Sequence, residues 1–127
     1  MTVDTDIYPE TLYYGGRISE GGHQPVYKKL LPDGEAEELS PRPSRRLINH
    51  SPDGFNWGYA GSSCAQLALA LLLDATSNPE LSRSFYQQFK WDKVAGWGKE
   101  WKITRGEILS WIAWKQIEDA TVKAGKN

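Results

Sequence analysis

A chain of 127 residues has room for one hydrophobic core, and residues 1–127 read as one domain. With 15 Lys plus Arg against 16 Asp plus Glu, its formal charge is −1, which argues against a surface built mainly to neutralise nucleic-acid phosphates or to lie on a membrane. One cysteine excludes an internal disulfide, no set of ligands suggests a metal, and MTVDTDIYPE lacks the basic-then-apolar order of a secretory signal, so a cytoplasmic protein is expected.

In chain order, residues 1–10 read as a loose arm. Residues 12–18 (LYYGGRI) carry β-favouring side chains interrupted by Gly15 and Gly16, so a strand with a bulge or bend is expected. A second strand falls at 25–31 (PVYKKLL), closed by the turn Pro32-Asp33-Gly34. Glu35, Glu37 and Glu38 read as a solvated face or loop. The stretch 40–46 (SPRPSRR) cannot continue a central strand, because its prolines lack an amide donor. Residues 47–50 form a short strand candidate, and a second turn follows at Pro52-Asp53-Gly54. Phe55, Trp57 and Tyr59 then alternate with Asn56 and Gly58, the pattern of a strand with all three aromatics on one face.

Three helices are predicted next. Gly61, Ser62 and Ser63 offer a start, and residues 65–75 are nearly all Ala and Leu. Only Gln66 and Asp74 break that surface, so the helix should be buried nearly all round. Its apolar run at 67–73 is too short to span a bilayer. Asn78-Pro79-Glu80 joins an N-cap to a proline at the first helical position, and Leu81, Phe85 and Phe89 recur on one face. Residues 101–103 read as extended, and Thr104 with Glu107 as a capping box. Ile108, Trp111, Ile112 and Ile117 make the inner stripe of the last helix, and residues 120–127 a frayed tail. The whole predicts a single α+β domain, a small N-terminal antiparallel β-sheet followed by three α-helices.

The candidate site lies where the turn meets the apolar helix. A helix start presents free amides and a partial positive charge, and the Gly61-Ser62-Ser63 step lets phosphate oxygens approach them. The same step also reads as a plain cap, with a serine hydroxyl bonded to its own helix. Arg42, Arg45 and Arg46 can bring positive charge there, or can simply balance the acidic run before them. Arg105 occupies a first helical turn, against the preference of the dipole, which marks it as a ligand candidate. His50 is a candidate hydrogen-bonding or basic group, and Trp57 a stacking surface for a base. Cys64, at a helix start, is a conceivable nucleophile, but no third orienting residue accompanies it and His50.

The run HSPDGFNWGYAGSSCAQLALALLLD, from His50 to Asp74, resembles the signature of a small uncharacterised prokaryotic and phage domain family, HSP-x-GF-x-WGY-x-GSGPAQLALALLLD. The segments YQQFK at 86–90 and WKITRGEI at 101–108 resemble its later blocks, and the likeness spans roughly residues 47–112. Ser63 and Cys64 stand where the pattern has glycine and proline. A family with proline at that place does not depend on a cysteine nucleophile. In size and in its phage-borne relatives the family is similar to counter-defence proteins, including sponges that sequester cyclic nucleotide signals of the Thoeris type. The resemblance therefore implies signal sequestration.

These readings converge on a non-catalytic protein, without cofactor or metal, that sequesters a phosphate-bearing small molecule such as a cyclic nucleotide. Arg45, Arg46, His50, Trp57, Gly61, Ser62, Ser63 and Arg105 are the expected ligand residues. The alternative is a protein-binding inhibitor or adaptor working through an aromatic surface, and a third reading is a small hydrolase or transferase. Six tryptophans and a helix apolar all round further predict a homo-oligomer.

Overall fold

The computed structural model describes residues 10–125, so the arm expected at the N-terminus lies outside the described residues except for Glu10. The elements are β1 (Glu10–Gly16), β2 (Val26–Leu31), β3 (Glu37–Glu38), α1 (Arg42–Leu47), α2 (Ser62–Thr76), α3 (Pro79–Asp92), a 3-10 turn (Val94–Gly96), β4 (Glu100–Thr104) and α4 (Arg105–Gly125). The strands form one antiparallel sheet in the order β3-β2-β1-β4. The α+β class is the one expected. The sheet is not wholly N-terminal, however: β4 arrives after three helices and closes against β1.

Alternation along the strands decides which side faces the core. Tyr13, Gly15, Val26, Trp101 and Ile103 point inward and are buried. Gly15 sits in register with both Val26 and Trp101, so the strand continues where a bulge was expected. Packing explains the glycine. A Cβ at Gly15 would lie 2.8 Å from Trp101 Nε1 and 2.9 Å from Trp57 Cη2, so only a bare backbone lets the two indoles lie against β1.

The centre of the molecule is α2. Every residue from Cys64 to Leu72 is buried, as the Ala/Leu run predicts, and α1, α3 and α4 pack around it. At about 1.5–3 kcal/mol per buried Leu side chain, this helix is the largest single source of hydrophobic stabilisation. Its polar breaks are tied to partners within the fold. Asp74 accepts a hydrogen bond from Tyr13 Oη (2.7 Å) and pairs with Lys28 Nζ (2.8 Å), tying the helix to neighbouring strands β1 and β2.

Two of the three predicted caps are present, the serine cap at α2 being the exception. Asn78 Oδ1 accepts from Leu81 N at 3.1 Å, with Pro79 opening α3. At α4, Thr104 N donates to Glu107 Oε1 (2.9 Å) while Glu107 N donates to Thr104 Oγ1 (3.1 Å), the reciprocal pattern of a capping box. Phe89 of α3 meets Trp111 of α4 edge to face at 5.0 Å.

Several expectations are corrected. Residues 42–47 form α1 rather than a loop, because Pro43 falls at the start of a helix, where its missing amide costs nothing. The strand expected at 47–50 is absent: Leu47 ends α1 and residues 48–50 are irregular. Phe55 makes one isolated bridge with Gln24 and no strand follows. Gly58 turns the chain at φ +90°, so the alternation fails and Tyr59 is exposed while Phe55 and Trp57 are buried. Glu37 and Glu38 pair as a short exposed edge strand. Ile117 belongs to no inner stripe, being 55% exposed. The predicted fraying at 120–125 gives way to helix, since α4 continues to Gly125.

Candidate functional site

The buried side-chain amides of the signature, Gln66 and Asn56, are committed to partners inside the fold. Gln66, fully buried on α2, accepts from the amides of His50 (2.7 Å) and Ser51 (2.9 Å) through one oxygen. Its nitrogen donates to Ser44 Oγ (2.9 Å) and Ile48 O (3.1 Å). One side-chain amide thus staples α1 and the turn at residues 48–51 to α2, and its donors and acceptor are all used. Asn56 does the same for the next segment. Its oxygen accepts from Trp57 N (2.8 Å) and Arg17 Nη1 (3.0 Å), and its nitrogen donates to Gly22 O (2.7 Å).

The expected ligand residues are not gathered into one place. His50 Nε2 lies 2.6 Å from Tyr86 Oη, so its ring is engaged by α3. Trp57 is fully buried, its Nε1 donates to Gly98 O (2.8 Å), and the Arg17 guanidinium lies 5.3 Å from its ring centre. No face of it is presented for stacking on a ligand. Arg105 stands at the far end of α2 from Ser62, where its Nε donates to Ala75 O at 2.8 Å. A cation that satisfies a C-terminal carbonyl of the neighbouring helix explains its place in a first turn better than a ligand does.

At the start of α2 the geometry is mixed. Gly61 is the N-cap and no side chain caps the helix. Ser62 is exposed, and Ser63 Oγ lies 3.2 Å from Ser51 Oγ. A Cβ at Gly61 would lie 2.5 Å from Tyr59 Cε2, so this glycine makes room for a tyrosine ring. Arg45 donates to Pro52 O, one residue from Ser51, so Arg45 and Ser63 do border the same turn. Arg46 is exposed, and with Arg42 and Arg45 it lines a depression of about 290 Å³.

A larger depression, about 620 Å³, lies elsewhere, on the outer face of the sheet, and strand residues alone line it. Leu12, Tyr14 and Gly16 of β1 point outward there, with Lys29 of β2 and Glu100 and Lys102 of β4. Tyr14 is in register with Tyr27 on one side and Lys102 on the other. The two tyrosine rings stack at 5.8 Å with 29° between planes, and Lys29 Nζ lies 5.8 Å from the Tyr14 ring centre. The mean plane of the sheet thus carries an aromatic pair bordered by two ammonium groups. Strand parity was the signal for it: Tyr14 and Tyr27 occupy the opposite phase from Tyr13, Val26 and Trp101.

Among the described residues, the one strongly perturbed group lies on the inner face. Burial, and then the Asp74 carboxylate to which it donates, push the Tyr13 hydroxyl well above the ordinary phenol range. It remains a neutral donor at every physiological pH. Among the described residues no group of His, Cys, Asp and Glu is placed to hold a metal ion, and no helix is long and apolar enough to cross a membrane.

Fold and faces together define a small α+β domain whose signature residues are spent on its own core. The chain belongs to a family of unknown function, DUF6166, whose model matches residues 13–114. The match reaches back to Tyr13 in β1, so both faces of the central strand belong to the family domain. No curated protein and no solved structure matches the chain.

Proposed function

We propose that this protein is a non-catalytic binding domain that holds a phosphate-bearing aromatic small molecule, chemically a nucleotide, on the outer face of its sheet. The observation that carries the reading is the stacked pair Tyr14 and Tyr27 with Lys29 and Lys102 beside it, bordering a depression of about 620 Å³. An aromatic platform accepts the flat face of a base, and flanking ammonium groups suit its phosphates. The volume falls within the range of small-molecule sites. Binding without turnover is favoured because His50 is engaged by Tyr86 and Cys64 is fully buried. Such binding amounts to sequestration of the ligand. Since the family carries no assigned function, a phage counter-defence role draws no support from it. The rationale for a homo-oligomer moves as well, because α2 is covered within a single copy.

Thermal-shift titration with mononucleotides and cyclic dinucleotides tests the proposal. A ligand of the native state raises the melting point by mass action, so a concentration-dependent rise is expected. The rise should vanish in Tyr14→Ala and shrink in Lys102→Glu, and should survive in Arg45→Ala. Loss in Arg45→Ala with retention in Tyr14→Ala moves the site to the start of α2. Absence of any rise across the nucleotide panel overturns the ligand class.

A further inference from the structure

The second half of α4 carries a separate apolar face. In its first half Ile108 and Ile112 are buried in the core, with Trp111 packed against it. From Ala113 onward most apolar positions change side, Val122 alone of residues 113–122 staying on the side of Trp111. Ala113, Trp114, Ile117, Ala120 and Thr121 recur at intervals of three and four, so they share one helix face. At about 100° per residue that face lies roughly opposite Ile108 and Ile112. All five residues are exposed, Trp114 at 61% and Ile117 at 55%. The other side of this half carries the exposed Val122 among polar residues, and there Lys115 is tied to Asp92 of α3 (3.1 Å) and to Glu118 (3.2 Å). An amphipathic helix anchored on its polar side, with its apolar stripe turned to water, is built for something to pack on.

We infer that the occupant is a second copy of this chain, with the two α4 helices packed antiparallel about a two-fold axis near Ile117. Three features select it. The stripe alternates large and small: centred on Ile117, an antiparallel pair sets each Trp114 over the partner's Ala120 and Thr121, so bulk meets space on both sides of the axis. This is the self-complementarity that a two-fold contact demands. Residues 113–123 hold two lysines against one Glu and one Asp, so the segment is formally neutral and two copies do not repel. The same balance disfavours an anionic membrane, which selects helices with a strongly basic polar face. Opposed macrodipoles favour the antiparallel sense. Three turns of helix bury less than the roughly 1,000 Å² of a permanent interface, so the dimer should be a weak one that forms in the micromolar range.

This association is independent of whatever the sheet face binds. Sedimentation velocity of the full chain over about 5–200 µM tests it, a range in which a contact of this size begins to populate. A reversible monomer–dimer equilibrium is expected. Trp114→Glu and Ile117→Glu should each weaken it at least about tenfold, as removal of a central aromatic or aliphatic anchor does. Both side chains are exposed in the single copy, so circular dichroism and the melting point at concentrations where the wild type is monomeric should stay unchanged, which separates lost association from lost folding. A wild-type protein that stays monomeric throughout overturns the inference. So does a dimer that survives both substitutions, or co-sedimentation of the full chain with anionic vesicles that Trp114→Glu abolishes while self-association persists.

Discussion

The two faces that meet at β1 treat their polar and aromatic groups in opposite ways. On the inner side, Tyr13 donates to Asp74, Gln66 staples the turn at 48–51 to α2, and Asn56 collects Arg17 and Trp57. Every one of these groups has an internal partner. On the outer side, Tyr14, Tyr27, Lys29 and Lys102 meet each other only by stacking and proximity, and their hydrogen-bonding atoms remain available to solvent or ligand. Buried polar groups must be satisfied within the fold, whereas groups kept for a ligand must not be. The buried amides of the most peculiar stretch therefore find their partners inside the fold, whereas the outward side of a plain-looking strand leaves its polar atoms free, and the proposed site lies there.

The comparison predicts a graded series of stability effects. The largest belongs to Gln66→Leu. It leaves the His50 and Ser51 amides without their acceptor beside an apolar side chain, and should cost about 4 kcal/mol in urea unfolding. A loss under about 1 kcal/mol would mean that the staple is dispensable and that Gln66 serves something else.

Next comes Tyr13→Phe, at about 2 kcal/mol for a hydrogen bond to a charged acceptor. It carries a pH signature. The folded-state pKa of Tyr13 is raised above its ordinary value of 10.0, so its contribution is complete below that pH and declines as pH rises through the folded value. Wild-type melting temperature should therefore fall above pH 10, more steeply than that of Tyr13→Phe. Parallel curves would break the link between Tyr13 and Asp74.

The smallest effect is expected at the start of α2. Ser62 is exposed and does not cap the helix, so Ser62→Ala should change stability by less than about 0.5 kcal/mol. Ser63→Ala removes a partner from Ser51 Oγ and should cost about 1 kcal/mol. Equal and large losses in both melting curves would restore the serine cap that the sequence offers.

Local chemistry made much of the fold legible. The Asn78 cap before Pro79, the Thr104 and Glu107 box, the two turns and the Ala/Leu run all act within a few residues, where the sequence states both partners. The errors share another cause. Alternation at Phe55, Trp57 and Tyr59 predicts a strand, but Gly58 and the Asn56 hydrogen bonds bend that segment against Arg17 and Gly22, far away in the chain. Gln66 and Asp74 were visible as interruptions of an apolar helix, with nothing beside them to name their partners. Arg105 read as a phosphate ligand because the carbonyl it serves, Ala75 O, lies 30 positions earlier.

The sequence by itself determined the class, the buried central helix, the caps of α3 and α4 and the absence of a disulfide, because these depend on composition and on neighbours within one turn. Tertiary structure alone decided which groups are left to act. Whether a tyrosine faces a core or a ligand depends on which side of the sheet the helices cover. Whether an arginine binds phosphate or a backbone carbonyl depends on what lies within about 3 Å of it. Those distances are set by contacts between residues tens of positions apart, and no short stretch of chain contains them.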